Sequence, residues 1–309
     1  MKHFSVVRSD KDLLLIGGGL GGLLSGLGLL QGWVLFMWLG IALLWLASKN
    51  IFAGFLWGLV AVLVSHSWLL AIHPLGWIGI PAPFSLPIAI AIWMFCGGFA
   101  GCLVAIWSWI SGCSFLVGFR DGNFWEKGTF ALVLACLWGL AEVVLAHYPL
   151  FWIGIGGSAL PGDRFLAGLA RWIGAGGIAT VQLLIGYWLW HTACAFNRGI
   201  EWRKSFFWGL FLVLLAHLIG SSLLSNKYSS ESIAVAMWQP DIPIRKKFSK
   251  EQQNRLPKDI QESLERANSL SASFLVAPEG MLSSNQELLS PAPISFLTGG
   301  FRWVGGVQR

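Results

Sequence analysis

A glutamate at position 279 has the sequence surroundings in which a carboxylate can act as a base. Glu279 follows the apolar run Phe-Leu-Val-Ala at 274–277, and Pro278 and Gly280 flank it. Such a run is typical of a buried strand, and active sites of open α/β sheets form at the carboxyl ends of strands. We expect the carboxylate to be partly desolvated there and to accept a proton more readily. The alternative is a solvated loop glutamate, and spacing alone leaves both open.

A second carboxylate, Glu142, lies inside an apolar run that covers residues 127–146. A charged side chain in such a run is costly, and it usually faces protein or water rather than lipid. A functional role and a satisfied structural role both remain open for it. Arg164 and Arg171 are two helical turns apart, so a helix would place them on one face. There they either meet lipid phosphate or anchor the helix at the headgroups.

A glycine string near the amino terminus matches the spacing of a nucleotide-binding loop. Gly17, Gly19 and Gly22 fit that spacing, but they lie inside an apolar run with no strand before it. Gly18 and Gly22 also form a GxxxG pair, which is typical of closely packed membrane helices. The pattern therefore indicates helix packing rather than a dinucleotide site.

The cysteines do not have the spacing of a metal site or a disulfide framework. All five lie in or beside apolar runs, and none has CxxC spacing: Cys96, Cys102, Cys113, Cys136 and Cys194. They are best interpreted as small apolar packing residues. We expect neither a metal nor a cofactor in this protein.

The composition is that of an integral membrane protein. Hydrophobic residues make up 55% of the 309 residues and charged residues only 12%, which is about half the charged fraction of a soluble domain. The net charge of +6 comes from basic residues between apolar runs. That pattern is typical of membrane topology and not of a nucleic-acid groove, so we expect no nucleic-acid partner.

Seven apolar runs have, or nearly have, the length of about twenty residues that a membrane crossing needs. They cover residues 13–30, 33–48, 52–72, 87–117, 127–146, 166–194 and 206–224. The first run is long and lacks a small-residue cleavage site after it, so we interpret it as a retained span and not as a signal peptide. The sequence thus predicts a membrane α-helical bundle of about seven spans.

The basic residues are distributed asymmetrically between the two sides of this bundle. The loops 73–86 and 147–165 contain only Arg164. The other side contains Lys2, Arg8, Lys11, Lys49, Arg120, Lys127, Arg198, Arg203 and Lys204. Because basic loops stay in the cytoplasm, we expect a cytoplasmic amino terminus and, after an odd number of crossings, a carboxyl-terminal segment on the outer face. In a bacterium that face is the periplasm.

The composition changes to that of a water-soluble segment after residue 226, so we divide the chain into domains at 1–226 and 227–309. Residues 233–238 and 273–277 have the pattern of strands, and residues 294–298 have the pattern of a possible third. Apolar residues at helical spacing predict a helix over 249–269. Strand, helix, strand is the beginning of a parallel α/β layer.

Several stretches resemble the apolipoprotein N-acyltransferase family. Val-Ala-Met-Trp-Gln-Pro-Asp-Ile-Pro at 235–243 and Phe-Leu-Val-Ala-Pro-Glu at 274–279 are similar to the start of the family's nitrilase-type (CN hydrolase) domain. In the bundle, Leu-Trp-Gly-Leu-Ala-Glu at 137–142 and Pro-Leu-Phe-Trp at 149–152 are similar to the family's tryptophan, glutamate and proline-tryptophan stretch. The resemblance extends over nearly the whole chain.

The resemblance implies a membrane bundle followed by the start of an α/β nitrilase-type sandwich domain, in the bacterial inner membrane. It also implies transfer of an acyl chain from a phospholipid to the N-terminal diacylglyceryl-cysteine of an apolipoprotein, a step of lipoprotein maturation. The family's catalytic residues are a glutamate, a lysine and a cysteine. Glu279 matches the glutamate, whereas residues 280–309 contain no lysine and no cysteine. We therefore expect the chain as written to be truncated at Arg309 and inactive alone.

Two alternatives to an active acyltransferase remain open at this point. One is a catalytically inactive fragment of such an enzyme. The other is a membrane transporter with a soluble cap, which would have paired charges near mid-bilayer and repeated broken helices. Glu142 is the strong candidate for such a charge.

Overall fold

The computed structural model describes residues 2–148, 154–225, 233–242, 249–279, 281–282, 288, 290–299, 303–304 and 307–308. The motif at 149–152 and the segment around the expected domain boundary at 226–227 lie outside the described residues. The chain divides into two compact units, Met1–His73 with Leu86–Lys227 and Pro74–Ser85 with Tyr228–Arg309.

The first unit is built from helices. They are α1 (Lys2–Gln31), α2 (Val34–Ala47), α3 (Ile51–Ser65), α4 (Ala82–Ser111), α5 (Ser114–Asp121), α6 (Phe124–Leu145), α7 (Ile155–Gly162), α8 (Arg164–Ala167), α9 (Ala170–Asn197) and α10 (Trp202–Ser225). The first residues of α4 belong to the second unit.

Five of these helices are long and apolar enough to cross a membrane, among the residues that the structure describes. They are Lys11–Gln31 of α1, then α4, α6, α9 and α10. The runs at 33–48 and 52–72 instead form the shorter helices α2 and α3, of 14 and 15 residues. At 1.5 Å per residue, each is about 21–23 Å long. The described part of the chain is thus mostly helical, with five helices that are long enough to span a membrane.

Gly18 and Gly22 lie on the face of α1 that packs against α3. A Cβ on Gly18 would clash with the carbonyl oxygen of Ala53, and a Cβ on Gly22 with that of Trp57. The two backbones therefore approach more closely than any side chain would permit. The interpretation of Gly18 and Gly22 as a helix-packing pair is confirmed.

Four buried tryptophans form the centre of the bundle. Their rings meet edge to face, with centroid distances of 5.2 Å for Trp45–Trp107, 5.5 Å for Trp107–Trp138 and 6.0 Å for Trp57–Trp138. These residues come from α2, α3, α4 and α6, so the cluster joins four helices. Such aromatic pairs contribute about 0.5–1.5 kcal/mol each beyond the area they bury.

Three of the four indole N–H groups of this cluster donate to backbone carbonyls of neighbouring helices. Trp57 donates to the carbonyl of Gly40 at 2.9 Å and Trp107 to that of Leu134 at 3.0 Å. Trp45 donates to the carbonyl of Leu183 in α9 at 2.9 Å. Since a buried polar group without a partner is costly, these bonds let large amphipathic rings occupy the interior.

Helix α9 is interrupted near its beginning. Gly174 has φ 63° and ψ −176°, which breaks the helical path after one turn. Only glycine adopts this backbone region without strain. The interruption separates the first turn of α9 from the long apolar part of the helix.

A short contact between His217 and Asp163 connects α10 to the corner between α7 and α8. Asp163 caps α8 by accepting a hydrogen bond from the backbone N–H of Leu166, at 3.0 Å. Its other carboxylate oxygen lies 2.7 Å from Nε2 of His217, whose Nδ1 lies 2.7 Å from the carbonyl oxygen of Val213. Both ring nitrogens of His217 thus lie within hydrogen-bonding distance of an oxygen atom.

The second unit contains the small sheet that the sequence predicts. Strands β1 (Val235–Met237), β2 (Phe274–Val276) and β3 (Ser295–Leu297) are parallel and lie in the order β1-β2-β3. Helix α11 (Lys250–Ser269) connects β1 to β2. A separate antiparallel pair follows, made of β4 (Trp303–Val304) and β5 (Val307–Gln308).

Helix α11 covers one face of this sheet. Ile260 and Leu264 are fully buried and form a cluster with Leu275 of β2, against which Ala236 and Phe296 pack. The register places Ala236, Leu275 and Phe296 side by side. Side chains alternate along a strand, so their neighbours lie on the opposite face.

The packing of α1 on α3 predicts a large difference between two neighbouring glycines. We expect Gly22→Ala to lower the free energy of unfolding by about 1–3 kcal/mol, because the new methyl group would overlap the carbonyl of Trp57. Gly19→Ala is the matched control: its Cβ would lie 3.5 Å from Leu56, an ordinary contact. In this control the free energy of unfolding should rise by up to about 1 kcal/mol, because alanine has a higher helix propensity than glycine. Thermal unfolding in detergent measures both, and equal effects would contradict this packing.

Candidate functional site

Glu279 lies at the carboxyl end of the middle strand of the parallel sheet. Strand β2 ends at Val276, and the next backbone N–H, that of Ala277, donates to the carbonyl of Leu297 at 2.9 Å. The sheet pairing therefore extends to within two residues of the carboxylate. This is the position at which the sequence predicts a functional group in an α/β sheet.

The segment after β3 lies directly against Glu279. Thr298 Oγ1 donates to the carbonyl of Pro278 at 2.7 Å, which ties the ends of β2 and β3 together. A Cβ on Gly299 would come within 2.7 Å of Cγ of Glu279. Gly299 therefore provides the space in which the glutamate side chain lies.

The surroundings of Glu279 differ from the expectation in one respect. The residue is exposed, whereas we expected partial desolvation at the strand end. The cause is visible in the fold, because α11 covers the apolar face of the sheet at Leu275 and leaves the strand end accessible. An accessible carboxylate can accept a proton from a group brought to it.

Residues able to hold a metal ion are not clustered in the part of the chain that the structure describes. No group of three or more His, Cys, Asp or Glu side chains converges there.

The buried carboxylate Glu142 has a full set of protein donors. The indole N–H of Trp138 donates to its Oε1 at 3.0 Å, and the backbone N–H of Ile155 donates to the same oxygen at 2.7 Å. The backbone N–H of Gly156 donates to Oε2 at 3.1 Å. Ile155 and Gly156 are the first residues of α7, so the carboxylate accepts from N–H groups that have no partner within their helix.

Three helices approach closely around this carboxylate. A Cβ on Gly139 of α6 would clash with the carbonyl of Gly176 in α9, and a Cβ on Gly156 of α7 would clash with that of Ala175. Gln182 of α9 adds a polar support, since its Nε2 donates to the carbonyl of Ile155 at 2.7 Å. Close contacts at small residues and hydrogen bonds thus hold α6, α7 and α9 together.

The two arginines of the sequence analysis, Arg164 and Arg171, lie on consecutive helices, α8 and α9. Nη1 of Arg171 donates to the carbonyl of Leu223 at 2.9 Å, near the carboxyl end of α10. The sequence alone does not reveal this helix-capping contact, because the two residues are 52 positions apart.

Removal of the Glu142 carboxylate should destabilise the bundle. In Glu142→Leu the N–H groups of Ile155 and Gly156 lose their acceptor, and each buried unsatisfied donor costs about 1–3 kcal/mol. We therefore expect a loss of about 2–6 kcal/mol, measured as thermal unfolding in detergent.

Glu126→Gln on the same helix is the control for this substitution. Glu126 accepts from the backbone N–H of Asn123 in a capping box at the exposed start of α6. Its replacement should change stability by about 1 kcal/mol or less. Equal effects of the two substitutions would show that Glu142 does not hold α7.

Comparison with known proteins gives several long matches. No protein-family model matches the chain. The chain is 54% identical over 301 residues to a protein of Prochlorococcus marinus (strain MIT 9313) named apolipoprotein N-acyltransferase, a match that covers 97% of the chain and 60% of that protein. Proteins of the same name from a second strain of Prochlorococcus marinus and from Parasynechococcus marenigrum are 47% and 46% identical. These two matches cover 97% and 94% of the chain, and again 60% of each relative.

The chain thus spans about three fifths of the length of the curated relatives that it matches. The matched residues include both the helical bundle and the segment with Glu279, because only a few residues of the chain lie outside them. The resemblance to apolipoprotein N-acyltransferases is therefore confirmed over almost the whole of this chain.

Proposed function

We propose that the gene product containing this chain transfers an acyl chain from a phospholipid to the N-terminal diacylglyceryl-cysteine of apolipoproteins. The observation that carries the proposal is the 54% identity over 97% of the chain to a protein named for this reaction. The helical bundle agrees with it, because both substrates are held in a membrane by their acyl chains. A bacterial inner membrane is the corresponding location.

Glu279 is proposed as the general base of this transfer. In such a reaction the carboxylate takes the proton of a thiol, and the thiolate attacks the ester carbonyl of the phospholipid. The ester C–O bond breaks, a lysophospholipid leaves, and a thioester remains. The acceptor amine then attacks the thioester and regenerates the thiol. The resemblance implies a cysteine and a lysine for this route, and Glu279 is the residue of this chain that corresponds to the family's triad.

We also infer that residues 227–309 belong to a nitrilase-type domain. Helix α11 covers one face of the three-stranded sheet, while the other face exposes Val235, Met237, Phe274 and Leu297. Their exposed fractions are 51%, 87%, 38% and 61%, which is high for apolar residues of a parallel sheet. Parallel sheets are normally covered on both faces, and in a sandwich a second sheet covers the inner one. The apolar free face of this sheet supports a sandwich of that kind.

The proposed orientation places the amino terminus in the cytoplasm and residues 227–309 in the periplasm. It depends on an odd number of crossings. The five long helices give an odd number, and the short pair α2 and α3 leaves it odd whether both cross or neither does. Lys49, between these two helices, favours crossing by both, since it then joins the basic cytoplasmic side.

The transporter alternative is less well supported. The interruption of α9 at Gly174 is a feature that transporters share. However, the carboxylate of Glu142 accepts from a side chain and two backbone N–H groups of the protein itself. Of the charged residues whose burial the structure describes, Glu142 is the buried one, and the donors named here are uncharged.

Substitution of Glu279 tests the catalytic proposal. Glu279→Gln preserves the shape of the side chain but removes the base, so acyl transfer should fall by a factor of about 100 or more. The assay uses the purified gene product, phosphatidylethanolamine with a labelled acyl chain and a diacylglyceryl-cysteine lipopeptide, with mass spectrometry of the N-acylated product. Glu265→Gln is the control, because Glu265 is exposed on α11 and bonds within its own helix to Gln261. Near-normal transfer by Glu279→Gln would refute the assigned role.

Cysteine labelling tests the proposed orientation. Asp121→Cys and Glu265→Cys place a thiol at two exposed helical positions, in a variant whose five native cysteines are replaced. In intact spheroplasts a membrane-impermeant maleimide should label position 265 and should label position 121 only after permeabilisation. Labelling of both positions from the same side would contradict the orientation.

A further inference from the structure

A cleft lies in the helical bundle, and its described lining residues all belong to the first unit. It has a volume of about 490 Å³ and lies between the end of α6, the start of α7 and the interruption of α9. This is within the range of about 300–1,000 Å³ that is typical of ligand pockets. Gly174, whose positive φ interrupts α9, is one of the residues that line the cleft.

The cleft is apolar along its length and polar at one end. Among the described lining residues, the side chains of α6 up to Ala146 are apolar apart from Glu142, and α7 and α9 contribute glycines and one alanine. His147 and Tyr148 follow at the end of α6, and both are exposed. A molecule bound in this cleft would therefore contact mostly apolar residues, with two polar side chains at the end of α6.

The carboxylate of Glu142 does not require a cation in the cleft as a partner. Its two oxygens accept from Trp138, Ile155 and Gly156, so the carboxylate is held by the protein at the edge of the cleft. Apolar side chains near the lining residues in sequence are exposed: Leu140, Val144 and Ile173 have exposed fractions of 61%, 50% and 45%. On helices of this length and hydropathy, exposed apolar side chains of this kind lie against lipid.

We propose that this cleft binds one acyl chain of a membrane phospholipid, with the headgroup end at His147 and Tyr148. An acyl chain is slender, flexible and apolar, and it is abundant at this surface. A partner helix is about 10–12 Å wide with its side chains, so a cleft of this volume would accept little more than one of its turns. The inference does not depend on the acyl transfer proposed above, because binding is measured without turnover.

The glycines of the chain provide a matched pair of variants. Gly157 lines the cleft, and a Cβ added there would have no atom within 4 Å, so Gly157→Leu fills the cleft without a clash at its first atom. Gly98 in the apolar helix α4 also has open space around its Cβ, but it does not line the cleft. Gly98→Leu therefore adds the same apolar bulk at a different place in a membrane helix.

The experiment uses phosphatidylethanolamine that carries a diazirine near the end of one acyl chain. The purified protein is reconstituted with this lipid and irradiated, and the adducts are mapped by peptide mass spectrometry. We expect adducts concentrated at Val143–Ala146 and Gly174–Gly176, reduced about fivefold or more by Gly157→Leu and unchanged by Gly98→Leu. Val143→Phe fills the cleft from the opposite wall and should give the same reduction if Gly157→Leu does not fold.

Two outcomes would overturn the proposal. Adducts spread evenly over all exposed apolar helices, with no effect of Gly157→Leu or Val143→Phe, would indicate ordinary surrounding lipid. Cross-links between two copies of the chain at the cleft would indicate a protein occupant instead. Either result leaves the acyl-transfer assay of Glu279→Gln unaffected, so the two proposals fail independently.

Discussion

The packing of the bundle depends on the hydrogen bonds that one buried carboxylate, Glu142, accepts. The first N–H groups of α7, those of Ile155 and Gly156, belong to buried residues and have no partner within their own helix. Glu142 accepts from two of them, and Trp138, one turn earlier on the same helix, donates to the carboxylate as well. The helix start thus stabilises the negative charge, and the charge satisfies the helix start. Either group alone would be an expensive feature in this environment.

This arrangement connects the tryptophan cluster to α7 and α9. Trp138 belongs to the ring cluster of four helices and is also the side-chain donor to Glu142. Glycines at 139, 156 and 176 let α6, α7 and α9 approach until backbone meets backbone. Such packing is effective in membranes, where association between helices depends on close contact and on polar bonds. The interruption of α9 at Gly174 lies next to this close packing, and Gly174 lines the cleft together with Ala175 and Gly176.

Much of the fold follows from local sequence patterns, whereas the contacts of the site do not. The soluble strands and α11 lie where alternation and helical spacing predict them, because these patterns reflect burial on one face. Hydropathy also predicts the helices, but it gives no reason for α9 to break at Gly174, since many glycines of this chain lie within regular helices. The sequence identifies Glu142 as unusual and leaves its role open. Its partners at 155 and 156 are backbone groups, which have no signature in the residue types.

Glu142 and Glu279 have the same side chain, but their surroundings suit them to different roles. Glu142 is 6% exposed, and its oxygens accept from a side chain and from a helix start, so a proton acceptor there would have to give up bonds that hold α7. Glu279 is exposed at a strand end, beside a glycine that leaves room for its side chain. A base must be reachable by the group from which it takes a proton. By that criterion Glu142 is poorly placed to accept a proton, and the accessibility of Glu279 agrees with the role of base proposed for it.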